Sequence, residues 1–109
     1  MTRIGPVRRL LMDAKALISK PECWCQEAYA LSAKNRLVDP HSPRARKFCI
    51  SGAIRRAQVG YGTIHGARKI LAGLVETNIL GFNDAPDTTH PMIMRLFNKA
   101  IRLAKEQGI

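Results

Sequence analysis

The sequence predicts a compact, mainly α-helical domain built as a bundle of about four helices. One observation behind this prediction is that apolar residues recur every three or four positions in four separate stretches. Another is that short connections join these stretches, apart from one segment of about twenty residues. The chain has 109 residues, 46% of them apolar, which is enough for one hydrophobic core and too little for two. We therefore expect residues 1–109 to form a single domain.

The first helix is predicted to begin at Pro6, because a proline at the first helical position has no backbone N–H that needs a partner. An apolar stripe at helical spacing follows, formed by Leu10, Leu11, Ala14, Leu17 and Ile18. Lys20-Pro21 is expected to end the helix, since the residue before a proline avoids helical geometry.

Residues 21–42 lose the helical period, and two interpretations fit them. One is a β-hairpin with short strands at 27–31 and 36–38, in which Asn35 of the Lys34-Asn35 turn adopts a left-handed conformation. The other is an irregular loop packed by two aromatic residues, Trp24 and Tyr29. A connection of this length is often functional in a small domain.

A second helix is predicted from Ser42-Pro43, with the serine as N-cap and the proline as first helical residue. Apolar residues would cover most of its circumference, which is typical of a helix in the middle of a domain. A narrow polar stripe remains, formed by Arg44, Lys47, Ser51, Arg55 and Gln58.

Two further helices are predicted in the second half of the chain. Thr63 is expected to cap the third, which would end near Asn78 and Gly81. Residues 83–89 are predicted to form a polar turn. The last helix is expected from about Pro91, with an apolar stripe of Ile93, Leu96, Phe97, Ala100, Ile101 and Ala104.

The charge distribution points to an anionic partner. Eighteen Lys and Arg residues against eight Asp and Glu give a net charge of +10, and no acidic residue lies between Asp39 and Glu76. Such a surface neutralises phosphates and releases counterions, so nucleic acid is the expected partner. No apolar run is long enough for a membrane span, so we expect no membrane partner.

The basic segment supplies the candidate nucleic-acid-binding residues: Arg44, Lys47, Arg55, Arg56, Arg68 and Lys69. Arg44, Lys47 and Arg55 would lie along the solvent-facing stripe of the second helix. A helix-turn-helix is a narrower version of this hypothesis. It would use the Gly60–Gly62 turn and a recognition helix presenting Thr63, His65, Arg68 and Lys69.

Two other function classes are alternatives. The same cations could bind an acidic protein surface, which would make the chain an inhibitor or regulator of host machinery. The third hypothesis is a cysteine-dependent enzyme in which Cys49 is the nucleophile, His90 the base and Asp84 the orienting group. Because Cys49 also suits core packing and a chain this short lacks a sheet around a substrate cleft, we expect no enzyme activity.

The cysteines indicate a reducing compartment. Cys23, Cys25 and Cys49 form neither an even, dense framework nor the paired spacing of zinc ligands. We therefore expect a cytoplasmic protein with free thiols, no metal and no cofactor.

Several short motifs carry a resemblance that extends from about residue 10 to residue 105. Its most specific parts are Phe48-Cys49-x-x-Gly52-Ala53-Ile54 and Phe82-Asn83-Asp84 followed by His90. In these the chain resembles a small uncharacterised domain family of bacteria and their phages. The resemblance implies one domain and a phage or mobile-element setting, and it implies no activity.

Overall fold

The computed structural model describes residues 3–58 and 61–109. Within these residues it contains five α-helices and one two-stranded antiparallel sheet. The elements are α1 (Pro6–Leu17), β1 (Ala30–Ser32), β2 (Ala45–Phe48), α2 (Ile50–Ala57), α3 (Tyr61–Gly73), α4 (Ile79–Asp84) and α5 (His90–Gln107). A single 3₁₀ turn, Pro21–Cys23, lies between α1 and β1. The predicted mainly α-helical class is confirmed.

Helix α1 lies at the centre of the bundle and packs against α2, α3 and α5. It begins at Pro6 as predicted, and Leu10, Leu11 and Ala14 from its apolar stripe are buried. The carbonyl oxygen of Ile109 accepts hydrogen bonds from the backbone N–H groups of Val7, at 2.8 Å, and Arg8, at 3.3 Å. These bonds pair donors that have no partner within the helix.

The predicted start of the second helix is wrong. The helix begins at Ile50 instead of Pro43, and residues 45–48 form β2, antiparallel to β1. The Ser42 hydroxyl accepts a hydrogen bond from the Arg44 backbone N–H, which closes a turn and caps no helix. The predicted stripe of Arg44, Lys47 and Arg55 on one helix therefore does not form.

A β-bulge explains why this strand resembled a helix in sequence. Leu31 pairs with Lys47 and Ser32 pairs with Ala45, so Arg46 is left without a partner in the register. The extra residue places Ala45 and Phe48 on the same face, and both are buried. Their separation of three residues equals the spacing expected of a helix, whereas a regular strand alternates every two.

The chain does fold back within residues 21–42. Ser32 N–H donates to the Arg36 carbonyl, and Leu31 forms an isolated antiparallel bridge with Leu37. Asn35 has the predicted left-handed conformation, with φ of 62°. The main partner of β1 is nevertheless β2, so the hairpin's second strand lies beyond the predicted 21–42 segment.

The second half of the chain contains one helix more than predicted. Helix α3 ends at Gly73, and Asn78 caps the short α4 by accepting a hydrogen bond from Gly81 N–H at 2.7 Å. Asn83 and Asp84, predicted as turn residues, are the last residues of α4. Helix α5 begins one residue before Pro91, and Ile93, Leu96, Phe97, Ala100 and Ala104 of its predicted stripe are buried. In residues 3–58 and 61–109, no helix has the length and apolar character to cross a membrane.

The most extensively hydrogen-bonded buried side chain described here is the fully buried carboxamide of Asn83. Its Oδ1 accepts hydrogen bonds from Trp24 Nε1 at 2.9 Å and from the Ile50 backbone N–H at 3.1 Å. Its Nδ2 donates to the Cys25 carbonyl at 3.1 Å and to Asp84 Oδ1 at 2.9 Å. All four hydrogen-bonding positions of the amide are thus used. The side chain connects the segment before β1, the first residue of α2 and the end of α4.

Replacing Asn83 by alanine should lower the free energy of unfolding by about 3 kcal/mol or more, because several buried groups would lose their partner at once. Urea denaturation measures this change. The matched control is Asn98→Ala on the exposed side of α5, for which we expect a change within about 0.5 kcal/mol. Equal effects of the two substitutions would contradict the role assigned to Asn83.

Candidate anion-binding pocket

A concave pocket of about 620 Å³ lies between Tyr29 and helices α2, α3 and α4. Its polar lining includes Ser51 and Arg55 from α2, and His65, Arg68 and Lys69 from α3. Asn78, Ile79 and Leu80 line it from the start of α4. In the described part of the chain, none of the lining residues is acidic. The pocket therefore gathers three permanent positive charges and one histidine.

The three cations come from two helices that meet at the pocket. Arg68 and Lys69 are successive residues of α3, and His65 lies one turn before Lys69 on the same helix. Arg55 is an exposed residue of the last turn of α2. A multiply charged anion could contact side chains from both helices, whereas a flat helical stripe would offer contacts from one helix only.

Arg55 is held against an aromatic ring. Its guanidinium carbon lies 4.8 Å from the centre of the Tyr29 ring, which is a cation–π distance. Tyr29 itself is 39% exposed. The contact orients the guanidinium at the pocket and leaves part of the ring accessible.

Gly52 allows the Tyr29 backbone to approach α2. A Cβ atom at position 52 would overlap the Tyr29 carbonyl oxygen, so only glycine fits there without a shift of the backbone. The same carbonyl accepts a hydrogen bond from Cys49 N–H at 3.3 Å. The pocket wall formed by Tyr29 is thus fixed to α2 through backbone contacts.

Arg68 carries a polar atom without a partner. Its Nε atom is buried and has no hydrogen bond to any other group in residues 3–58 and 61–109. A buried N–H donor without a partner is costly, and such groups often bind a ligand or ion. Here the donor belongs to a side chain that lines the cationic pocket.

The other predicted cations lie elsewhere. Arg44 lines a second concavity at the hairpin turn, together with Lys34, Arg36 and Arg46. Lys47 donates its ammonium to Asn35 Oδ1. Arg56, although adjacent to Arg55, donates to the carbonyls of Pro40 at 2.9 Å and Ser42 at 2.8 Å, so it holds the loop before β2. The structure thus brings Arg55, Arg68 and Lys69 together and separates them from Arg44, Lys47 and Arg56.

The sequence favours a packing role for Tyr29 over base stacking, and the structure places this residue in the pocket wall. Sequence reasoning missed Lys34 and Arg36 beside Arg44. The predicted turn at Lys34-Asn35 indicates that Lys34 and Arg36 lie close together, and it is the feature of the sequence that could have identified these two cations.

The structure places the predicted base-contacting residues of the helix-turn-helix hypothesis on two different surfaces. His65, Arg68 and Lys69 line the cationic pocket. Thr63 instead lines a separate concavity with Arg9 and Asp13 of α1. The first residue of the proposed Gly60–Gly62 turn lies outside the described residues.

The side chains of the three residues in the cysteine-enzyme hypothesis each form a hydrogen bond to the backbone. Cys49 is the N-cap of α2, and its Sγ accepts a hydrogen bond from Gly52 N–H at 3.3 Å. Nε2 of His90 lies 2.7 Å from the Ile18 carbonyl oxygen, to which it donates because a carbonyl can only accept. Asp84 Oδ1 accepts hydrogen bonds from Glu27 N–H at 2.8 Å and from Asn83.

The thiols of Cys25 and Cys49 are held in the protonated form. Burial is the main cause that raises the pKa of Cys49, against weaker opposing hydrogen bonds. Burial, followed by the charges of Cys49 and Asp84, raises the pKa of Cys25 to about 12. A cysteine nucleophile requires the opposite shift. All three cysteines are free, and no group of three or more metal-ligating side chains occurs within the described ranges.

A family model that is described as a family of unknown function matches residues 3–103 of the chain. No curated protein and no solved structure matches the chain.

Alanine at Gly52 should reduce the free energy of unfolding by about 1–3 kcal/mol, because its Cβ must displace backbone atoms of Tyr29. Thermal or urea denaturation measures the loss. Gly73→Ala is the control, since a Cβ there meets nothing within 4 Å. That substitution should be neutral or stabilise by up to about 1 kcal/mol. Unchanged stability of Gly52→Ala would mean that Tyr29 and α2 separate easily.

Cys25 and Cys49 should resist a thiol reagent at pH 8 in the folded protein, while the half-buried Cys23 reacts. Unfolding in urea should expose all three. The unfolded chain loses the Cys25 proton near pH 9 and the folded chain near pH 12. The folded state therefore binds more protons in this range, and stability should fall as the pH rises through it.

Cys25→Ala should make that fall less steep by up to about 1.4 kcal/mol per pH unit. The control is Cys23→Ala. Rapid labelling of Cys49 at neutral pH would contradict this account and favour the enzyme hypothesis.

Proposed function

We propose that this chain, which belongs to the DUF6197 family, a family of unknown function, is a small basic binding module whose polyanionic partner is nucleic acid. The observation that carries the proposal is the convergence of Arg55, Arg68 and Lys69 on one pocket without an acidic lining residue in the described ranges. Phosphate groups are the anionic groups of nucleic acid that such a cluster contacts.

The geometry favours arginine-mediated phosphate binding. An arginine presents several N–H donors in a fixed plane that matches two phosphate oxygens. Arg55 is oriented by its contact with Tyr29, and Arg68 has a buried Nε without a partner. The contact with Tyr29 reduces the conformational freedom that Arg55 loses on binding, and an anion would supply the partner that Arg68 Nε lacks; both effects favour affinity.

The proposed binding has no base-specific readout. The predicted readers of a recognition helix are divided between two surfaces, as described above. Contacts to phosphates carry no sequence information. We therefore propose binding that depends strongly on salt and weakly on sequence.

The biological setting is part of the proposal. Free cysteines support a cytoplasmic location, and the sequence resemblance supports a phage or mobile-element role. The alternative partner, an acidic protein surface, would use the same cations. Nuclease treatment distinguishes the two, because it releases a nucleic acid from the protein and leaves a protein partner bound.

Fluorescence anisotropy with a labelled single-stranded oligonucleotide tests the proposal. We expect a dissociation constant in the range of about 1–100 μM at low salt and weaker binding as salt is added. Because exposed cations can be removed with little effect on folding, the first variant is Arg55→Ala with Lys69→Ala. It should bind at least about tenfold more weakly and with a shallower salt dependence.

The control removes the same number of charges from α5, through Arg102→Ala with Lys105→Ala, both exposed. It should retain most of the affinity, since these residues do not line the pocket. Absence of binding at low salt would overturn the proposal. Equal losses in the two double variants would also overturn it, because binding would then follow net charge alone.

A further inference from the structure

We propose that the cationic pocket binds one phosphorylated nucleotide. Its phosphate lies at Arg55, Arg68 and Lys69. Its base lies against Tyr29 and the apolar lining residues Ala72, Ile79 and Leu80. This inference rests on the proposed function and names the group that the pocket recognises. The nucleotide can come from two sources, a free nucleoside monophosphate or the 5′-phosphorylated end of a strand.

The phosphate position follows from the donors. Arg68 offers a buried Nε that has no partner in the described part of the chain. Arg55 approaches from α2 and Lys69 from α3, so an anion between them is contacted from two sides. A terminal phosphate carries close to two negative charges at neutral pH, whereas a phosphate within a strand carries one. Three cations around one pocket favour the more highly charged group.

The base position follows from the rest of the lining. Ala72, Ile79 and Leu80 supply an apolar surface beside the cations, and Leu80 is 41% exposed. The Tyr29 ring is partly accessible at the same pocket. Aromatic rings provide stacking surfaces for nucleic-acid bases. A ligand that satisfies both parts has an anionic group and a flat, weakly polar body, as a nucleotide does.

The size of the pocket agrees with this ligand. A volume of about 620 Å³ lies within the range of small-molecule sites. The concavity at the hairpin differs, because it is lined by Ser32, Ala33 and four cations with no aromatic residue in the described structure. It offers charge without a surface for a base. The cationic pocket is therefore the better site for a single nucleotide.

Calorimetric titration of the full chain compares three probes: adenosine 5′-monophosphate, adenosine and inorganic phosphate. We expect the monophosphate to bind at least about tenfold more tightly than either fragment, because only it uses both parts of the pocket. Arg68→Gln should weaken monophosphate binding about tenfold or more. Tyr29→Leu should weaken monophosphate binding by a larger factor than phosphate binding, because it removes the surface for the base as well as the contact that orients Arg55. Arg102→Gln on α5 is the control, and thermal melting verifies that each variant is folded.

An oligonucleotide with and without a 5′-phosphate distinguishes the sources. Tighter binding of the phosphorylated strand assigns the pocket to strand ends, and monophosphate binding without that preference assigns it to free nucleotides. The inference is overturned if adenosine or inorganic phosphate binds as tightly as the monophosphate, or if Arg68→Gln leaves monophosphate binding unchanged. It is also overturned if no monophosphate binds while both oligonucleotides bind equally, and the proposed nucleic-acid function then stands. If the monophosphate binds and neither oligonucleotide binds, the nucleotide inference stands and the proposed nucleic-acid function is overturned.

Discussion

The hydrogen bonds of the Asn83 carboxamide fix the end of α4 to two segments that lie 59 and 33 residues away in sequence. Trp24 and Cys25 precede β1, Ile50 begins α2, and Asn83 itself ends α4. Gln26 extends the connection by donating its side-chain amide to the carbonyls of Asn83 and Ala85. These carbonyls lie in the last turn and at the C-cap of α4, where backbone carbonyls lack a partner within the helix. A buried amide that is fully bonded specifies a single arrangement, because every alternative leaves polar groups unpaired. The pocket depends on this arrangement, since the same segments supply its walls.

The pocket is a consequence of close packing between α2 and the chain before β1. Gly52 allows the Tyr29 backbone to lie against the helix, and Arg55 follows Gly52 by three residues, at a helical spacing that returns to the same side. The tyrosine ring and the guanidinium therefore meet because the absence of a side chain at Gly52 lets the Tyr29 backbone lie close to α2. Cys49 contributes to the same junction, as its thiol caps α2 and its N–H bonds to Tyr29. This accounts physically for the Cys49-x-x-Gly52 spacing without invoking thiol chemistry. Burial raises the pKa of Cys49 although the capping hydrogen bond from Gly52 N–H lowers it, so the capping group is the protonated thiol.

The sequence was sufficient for the long helices and insufficient for the middle of the chain. Helices α1 and α5 have a single apolar stripe that contacts the core, so the period of three to four residues identified them. In β2 the bulge at Arg46 gives Ala45 and Phe48 the same period, and periodicity alone cannot distinguish the two structures. Asn83 and Asp84 resembled turn residues, because their hydrogen-bond partners before β1 and at the start of α2 are distant in sequence. For the site, the excess of basic residues was evident from composition. Which cations converge was not, because that depends on the junction at Gly52 and on the placement of α4.

Adjacent arginines illustrate why net charge is a poor guide to the binding surface. Arg55 and Arg56 are equivalent in composition, yet Arg56 donates to two backbone carbonyls before β2 while Arg55 lies at the pocket. A guanidinium bonded to carbonyls keeps its charge but has fewer donors available for a ligand. The attraction that matters for binding is local, since exposed charges more than about 10 Å away are largely screened at physiological salt. In the proposed complex Arg68 is favoured in this respect, because an anion at its buried Nε would lie where solvent screening is weak. In the proposed complex, a small domain with a net charge of +10 would therefore owe its affinity mainly to three side chains, and the remaining cations would contribute mainly to the rate at which the anionic partner approaches.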